Sequence, residues 1–147
     1  MAGMTQPMAM QQFQFGATLS GAMEVPPVVS TGSGLALLAF DPGVTALRVV
    51  LAVSNLRQVR EAHIHIGRPG ENGPIVLFLF GPSTPVDIGA SATLTNAAFT
   101  AANLTGPLAG MPLSVLAQQV LSGNAYVNVH TVAHPAGEIR GQILRRS

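Results

Sequence analysis

The chain has 147 residues, of which only 9% are charged, and its seven cationic side chains stand against six acids. That length suits one domain with its own apolar core. All seven cations are arginines scattered along the chain, so no basic stripe points to nucleic acid. With no cysteine, the chain has no disulfide, no thiolate metal ligand and no cysteine nucleophile, so any metal must be held by imidazole, carboxylate or carbonyl groups.

The mean hydropathy of +0.42 is high for so short a chain. This balance favours a surface covered by a partner or by self-association, so a homo-oligomer is one expectation. The longest apolar run, residues 74–80, is too short to span a bilayer, and we predict no membrane span. Residues 1–12 show no signal-peptide pattern and are predicted to be a disordered tail before a domain at 13–147.

Alternating and apolar-rich segments predict strands in the first half of the chain. Residues 13–20 alternate, and 34–40 and 46–53 form a hairpin around the turn Asp41-Pro-Gly-Val. The two prolines after Val25 predict an extended edge segment, on which Glu24 is expected to be a solvated carboxylate. Residues 54–60 are predicted to be a polar connection.

A short alternating strand at residues 61–66 carries two of the four histidines. Since successive side chains of a strand point to opposite faces, His63 and His65 share one face and Ala62, Ile64 and Ile66 take the core face. Arg57, Arg60 and Glu61 are expected to form a solvated rim. A glycine- and proline-rich turn follows at 67–74, and the apolar run 75–80 is predicted to be a strand buried on both faces, with its phenylalanines in the core.

The second half is predicted to contain more strands and one helix. Residues 81–89 are assigned to a loop, and 90–104 to one or two short strands with a break near Asn96. Leucines recurring at three- and four-residue intervals, with Pro112 before them and Gly123 after, predict a short helix near residues 112–122. With final strands at 124–131 and 137–144, the fold class is all-β, an antiparallel sandwich or barrel of about eight strands.

A second polar face lies on the strand at 124–131, where Tyr126, Asn128 and His130 alternate with apolar residues. If this strand pairs with the one at 61–66, three imidazoles share one face. Three imidazoles can hold copper, zinc, nickel or iron with a position left open. The alternatives left open are a hydrogen-bonded polar network and an acid/base role.

Three motifs, in order, resemble the CHRD domain, a family named from chordin and common in bacterial secreted proteins. They are Leu19-Ser-Gly-Ala-Met-Glu-Val-Pro-Pro27, then Ala62-His-Ile-His-Ile-Gly67 with Asn72-Gly-Pro-Ile-Val76, and finally Gly123-Asn-Ala-Tyr-Val-Asn-Val-His-Thr131 with Pro135-Ala-Gly-Glu-Ile-Arg-Gly-Gln142. The resemblance implies a secreted or periplasmic location and a protein partner at the cell envelope, since chordin modules accompany growth-factor binding. It implies no agreed activity for single-domain bacterial members.

A looser likeness to copper/zinc superoxide dismutases rests on the His-x-His strand in an all-β body, and it places copper ahead of zinc. The predicted ligands are His63, His65 and His130, with His134 as a candidate fourth. Glu138, Asn128 and Tyr126 are their candidate hydrogen-bonding partners, Glu138 also being a candidate ligand. No nucleophile elbow or paired carboxylates appear, so a non-enzymatic protein is favoured, and any activity would be copper-dependent redox chemistry. The alternative is an extracellular protein-binding module whose histidines form a hydrogen-bonded network.

Overall fold

The computed structural model describes residues 13–146 and shows one antiparallel β-sheet with a single α-helix. The helix, α1, spans Leu113–Leu121. The strands are β1 (Phe15–Ser20), β2 (Ser33–Phe40), β3 (Leu47–Ser54), β4 (Leu56–Ile66), β5 (Ile75–Phe80), β6 (Val86–Ile88), β7 (Ala92–Phe99), β8 (Ala125–Thr131), β9 (Ile139–Gln142) and β10 (Leu144–Arg145). The predicted fold class is therefore confirmed, while the predicted tail at 1–12 lies outside the described residues.

Eight strands follow one another in the order β5-β4-β8-β9-β1-β2-β3-β7 and curl into a nearly closed barrel. The short strands β6 and β10 pair at the side with β4 and β1. The two end strands approach each other where Thr95 Oγ1 of β7 donates a hydrogen bond of 3.0 Å to Leu79 O of β5. Such closure leaves few unpaired backbone groups at sheet edges.

The interior is filled by alternate side chains of each strand. On β1, Phe15, Ala17 and Leu19 are buried while the residues between them are more exposed. On β4, Ala62 and Ile64 are fully buried, as the alternation predicted. The helix adds Leu113, Leu116 and Val120 to the same core, so one apolar interior holds the sheet and the helix together.

Several elements differ from the sequence-based expectation. Strand β4 begins at Leu56, so most of the predicted connection 54–60 is part of the strand. Strand β7 continues through Asn96, and the irregularity lies in its pairing with β3 near Leu51. Phe78 is 53% exposed, because β5 pairs with β4 near the end of the sheet and presents this side chain outward.

Candidate metal centre

The two histidine-bearing strands are neighbours in the sheet. Strands β4 and β8 pair antiparallel, with His63 opposite Asn128, His65 opposite Tyr126 and Glu61 opposite His130. Directly opposite residues of an antiparallel pair point to the same face. The pairing inferred from the sequence is therefore confirmed, and the polar side chains occupy the outer face of the barrel, away from the core.

Three imidazoles converge on this face. His63, His65 and His130 each place one ring nitrogen within 4.8 Å of the corresponding nitrogens of the other two. His63 Nδ1 and His130 Nε2 are 3.0 Å apart, and His65 Nε2 is buried without a hydrogen-bond partner. Nitrogens bound about 2.0–2.1 Å from one tetrahedral ion stand about 3.3 Å apart, so inward shifts of roughly 1 Å would bring all three within coordination range.

The other nitrogen of each ring faces a hydrogen-bond acceptor. His63 Nε2 is 2.8 Å from Glu61 Oε1, His65 Nδ1 is 2.8 Å from Gly73 O, and His130 Nδ1 is 2.9 Å from Pro135 O. A carbonyl or carboxylate oxygen can only accept a hydrogen bond, so each of these nitrogens carries the N–H. This arrangement fixes the ring tautomer and is the usual companion of metal-binding histidines.

These hydrogen bonds leave two unprotonated nitrogens facing each other inside the cluster. With the outward nitrogens protonated, His63 Nδ1 and His130 Nε2 face each other with lone pairs only, at 3.0 Å. Moving the proton of His63 to Nδ1 would instead place a bare nitrogen against the Glu61 carboxylate. A shared cation, either a proton or a metal ion, resolves the conflict, and the donor set fits a metal ion with three imidazole ligands.

Protonation of the cluster is disfavoured by its surroundings. Burial, and after it the nearby His130 and His65, lower the pKa of His63 to about 4, although Glu61 acts in the opposite direction. Burial also lowers the pKa of His65 and of His130. At neutral pH the three rings are therefore neutral, which is the form that binds metals.

Aromatic rings border the cluster on two sides. Phe78 of β5 meets His63 edge to face, with ring centroids 4.7 Å apart. Tyr126 stacks on His65, with centroids 4.8 Å apart and planes 9° from parallel, and Arg140 Cζ lies over the tyrosine ring, 3.5 Å from its centroid. These contacts restrict rotation of the imidazoles.

The turn that supplies Gly73 O is held to the barrel by hydrogen bonds. Gly73 N donates to Tyr126 Oη at 3.0 Å, and Arg140 Nη2 donates to Arg68 O at 2.9 Å. Gln142 Nε2 donates to Gly67 O at 2.7 Å. A side chain at position 73 would not fit, since an added Cβ would lie 1.6 Å from Ile66 O. The acceptor for His65 is thus positioned by close backbone packing.

Of the predicted partner residues, Tyr126 and Asn128 lie on the histidine face, whereas His134 and Glu138 are placed elsewhere. Asn128 Oδ1 is buried without a partner. His134 lies in the turn after β8 and lines a separate cleft with Glu24. Glu138 accepts from Thr131 Oγ1 at 2.7 Å and from Ser30 Oγ at 2.6 Å, so it ties the segment before β2 to the end of β8.

Glu24 is buried rather than solvated, being only 5% exposed. The turn 135–137 covers it, and an added Cβ at Gly137 would lie 2.5 Å from Glu24 Oε2. Burial raises the pKa of Glu24 to about 7, although the positive charge of Arg140 opposes the shift. No local pattern predicts the burial of Glu24, because the residues that cover it lie far along the chain.

Three residues of the site escaped the sequence analysis as site residues. The sequence predicts Glu61 on a solvated rim and Phe78 in the core, and it predicts no site role for Arg140. The period-two pattern placed Glu61 on the face of His63 and His65, which was the available signal. No local pattern marks Phe78 or Arg140, since their contacts depend on pairing between distant segments.

Comparison with known proteins identifies the family. A search of curated proteins finds no match to this chain. The sequence profile of the CHRD domain matches residues 15–143, nearly the whole described part of the chain. This agrees with the resemblance carried by the three sequence motifs, and the chain belongs to the CHRD domain family.

Proposed function

We propose that this protein is a secreted or periplasmic metal-binding protein that holds a copper ion, or less favourably a zinc ion, through His63, His65 and His130. The observation that carries the proposal is that the two nitrogens of each imidazole ring have different surroundings. One nitrogen of every imidazole donates to a fixed oxygen, while the other faces a space shared with the other two rings. A solvated or purely structural histidine needs no such convergence.

Copper is favoured over zinc on the chemistry of the donors. Imidazole binds both ions, but at a nitrogen site of given geometry Cu²⁺ binds more tightly than Zn²⁺. The likeness to the His-x-His strand of copper/zinc dismutases points the same way. Storage or delivery of the ion fits the three-ligand set, and redox chemistry at copper is the form that any enzymatic activity would take.

The chain's own residues would orient and shield the site. Glu61, Gly73 O and Pro135 O hold the ring tautomers that leave His63 Nδ1, His65 Nε2 and His130 Nε2 free as donors. Phe78 and Tyr126 border the rings and limit access of water. His130 is more exposed than the other two histidines, so an ion would enter from its side.

Metal content tests the proposal directly. Protein purified without a histidine tag and titrated with Cu(II) or Zn(II) should bind about one ion per chain by elemental analysis. His63→Ala and His65→Ala should each lower the affinity by at least about 100-fold, since each removes one of three ligands. The matched control is His134→Ala, which removes a histidine outside the cluster and should leave the affinity unchanged. A wild-type protein that takes up neither ion would overturn the proposal.

The carboxylate that faces His63 provides a second, finer test. Glu61→Gln keeps the shape of the side chain but removes the charge that stabilises the Nε2–H tautomer. We expect the metal affinity to fall by about 10–100-fold with no loss of fold. Isothermal titration with Cu(II) measures the change, and Glu71→Gln on the exposed turn is the control. Equal affinities for wild type and Glu61→Gln would contradict a role of the Glu61 charge in metal binding.

The second candidate is an envelope protein-binding module in which the histidines are structural. The observation that favours it is the close contact of His63 with His130, which a hydrogen bond could occupy instead of an ion. In that case His63→Ala would lower the free energy of unfolding without any metal effect. Affinity capture from the native envelope would then recover a protein partner equally well from metal-free and metal-loaded protein.

A further inference from the structure

A groove on the outer face of β1, β2 and β10 is lined by exposed apolar side chains and by arginines. Leu35 and Leu37 lie on the outward side of β2, where Leu35 is 45% exposed and Leu37 only 7%, while Ala36 and Leu38 face the core. A strand with one solvated face normally alternates apolar and polar residues. Leu35 therefore breaks the pattern at an exposed position, where burial in the core cannot explain an apolar residue.

The pairing register shows how the groove is built. Gly16 of β1 lies between Leu37 of β2 on one side and Leu144 of β10 on the other. Because position 16 has no side chain, the row leaves a trough between two leucines. An added Cβ there would lie 3.4 Å from the Arg146 side chain, so the arginine stem packs against Gly16 within the trough.

The groove is large and largely apolar. It encloses about 500 Å³, a volume in the range of small-molecule sites. Three of the exposed large apolar side chains of residues 13–146 line it, namely Met23, Leu35 and Leu144, and the last of these is 60% exposed. Several large apolar side chains exposed together usually mark a binding surface.

Among residues 13–146, the charged side chains that line the groove are arginines. Arg145 and Arg146 line it, and no Asp or Glu is among the described residues that do so. The Arg145 guanidinium lies 5.6 Å from the Phe15 ring centroid, a contact that supplies no counter-charge, and Arg146 Nη1 donates to Phe13 O. Arginine stems can cover apolar surface while their charged ends remain in water.

We propose that this groove binds a small single-chain amphiphile with an anionic head, its alkyl chain lying along Leu35, Leu37 and Leu144 and its head at Arg145. The apolar floor selects a hydrocarbon chain, and the positive charge of Arg145 selects a carboxylate, sulfate or phosphate head. The trough is one glycine wide between two leucines, which suits one free chain better than a bilayer surface. This site is separate from the histidine cluster and does not depend on metal.

The experiment compares two probes of equal chain length and opposite charge. Sodium octanoate and octyltrimethylammonium bromide are titrated below their micelle concentrations into isotopically labelled protein, and amide shifts are followed by NMR. Octanoate should shift amides of β1, β2 and β10 saturably and bind about tenfold more tightly than the cation. Equal affinities for the two probes, or shifts confined to other strands, would overturn the proposal.

Two variants test the contact with the anionic head and the contact with the alkyl chain separately. Arg145→Gln should abolish the preference for octanoate, and Leu35→Ser should weaken both probes by about tenfold. Both positions are exposed, so neither variant removes core packing. Arg57→Gln on β4, away from the groove, is the matched charge control and should leave the affinity unchanged. Unchanged octanoate binding by Arg145→Gln would count against the assigned head site.

Two further measurements decide between this ligand and other occupants of the apolar face. Sedimentation at increasing protein concentration should show that octanoate binds a species of constant mass. Self-association through Leu35 and Leu144, competing with octanoate, would overturn the proposal in favour of a second copy of the chain. Binding to phosphatidylglycerol vesicles without binding of octanoate would likewise overturn it in favour of a membrane surface.

Discussion

The tautomer of each histidine in the cluster is set by the oxygen that accepts a hydrogen bond from its outward nitrogen. A single carboxylate, Glu61, and two backbone carbonyls, of Gly73 and Pro135, fill this role. The histidines themselves were predictable from the period-two pattern of two strands. The carbonyl acceptors were not, because a backbone oxygen carries no sequence signature and its direction depends on the fold of a turn.

Glu24 makes a residue-scale prediction about pH. Its pKa is about 7 in the folded protein and 4.5 for the unperturbed group. The folded state therefore binds more protons than the unfolded state between these values, so this contribution to stability is complete below pH 4.5 and is lost as pH rises through 7. The loss is at most about 3 kcal/mol.

Urea unfolding of wild type and Glu24→Gln between pH 4.5 and 8.5 measures this effect as a difference. The lowered pKa values of the histidines act in the opposite direction, because they reduce the stability of the fold as pH falls below 6.5. Both proteins share this contribution, so the difference between their unfolding free energies isolates that of Glu24. The wild type should lose stability relative to Glu24→Gln as pH rises. Glu71→Gln, at an exposed position, should run parallel to wild type, and a constant difference for Glu24→Gln would contradict the burial of an ionisable carboxyl.

At the scale of elements, the turn 67–74 behaves as a part of the site because Tyr126 and Arg140 hold it. Tyr126→Phe keeps the ring that stacks on His65 but removes the acceptor for Gly73 N. We expect the free energy of unfolding to fall by about 1–2 kcal/mol, since a part-buried N–H loses its partner. Metal affinity should fall as well, because Gly73 O also positions His65.

A control for Tyr126→Phe is Thr95→Val, which deletes the buried hydrogen bond from β7 to Leu79 O. It should cost a similar free energy while leaving metal affinity unchanged, because no residue of the histidine cluster is touched. Urea unfolding and Cu(II) titration of both variants make the comparison. Equal affinity losses in the two variants would show that the effect is general destabilisation, not placement of the turn.

Local patterns predicted the elements well where polar and apolar residues alternate. Strand β1 follows its period-two pattern, and the helix at Leu113–Leu121 follows its helical pattern. On β4 and β8 the alternation predicted which face carries the polar residues, although most of these are buried as well. Prediction failed where both faces carry apolar residues. The run at 75–80 looked buried on both sides, but Phe78 borders the histidines and is exposed, and the outward leucines of β2 were not distinguished from its core residues.

For the whole molecule, metal binding should raise the stability of the folded state. An ion that binds only the folded chain adds about 2.7 kcal/mol at 100 times its dissociation constant. For a domain of this size we expect the melting temperature to rise by roughly 10 °C. Calorimetry with and without Cu(II) tests this, and His63→Ala should show no rise while His134→Ala should show the full one. A rise that persists in His63→Ala would place the ion elsewhere.

The sequence left open whether the strands form a sandwich or a barrel. Composition and turn spacing count strands but do not say which edges meet, and the approach of β5 to β7 joins segments without a shared motif. The pairing of β4 with β8 could be inferred, since both carry polar faces with histidines. Sequence patterns therefore predicted the strand pairing at the site but not the closure of the sheet that supports it.

The pairing of β4 with β8 gives the proposed ion a role as a check on correct folding. Side chains alternate with a period of two, so a slip of one residue between these strands would turn His130 toward the interior and separate it from His63 and His65. A chain that has paired in the wrong register would lose the third donor and release the ion. Metal retention would then distinguish correctly assembled molecules from compact misfolded ones during refolding.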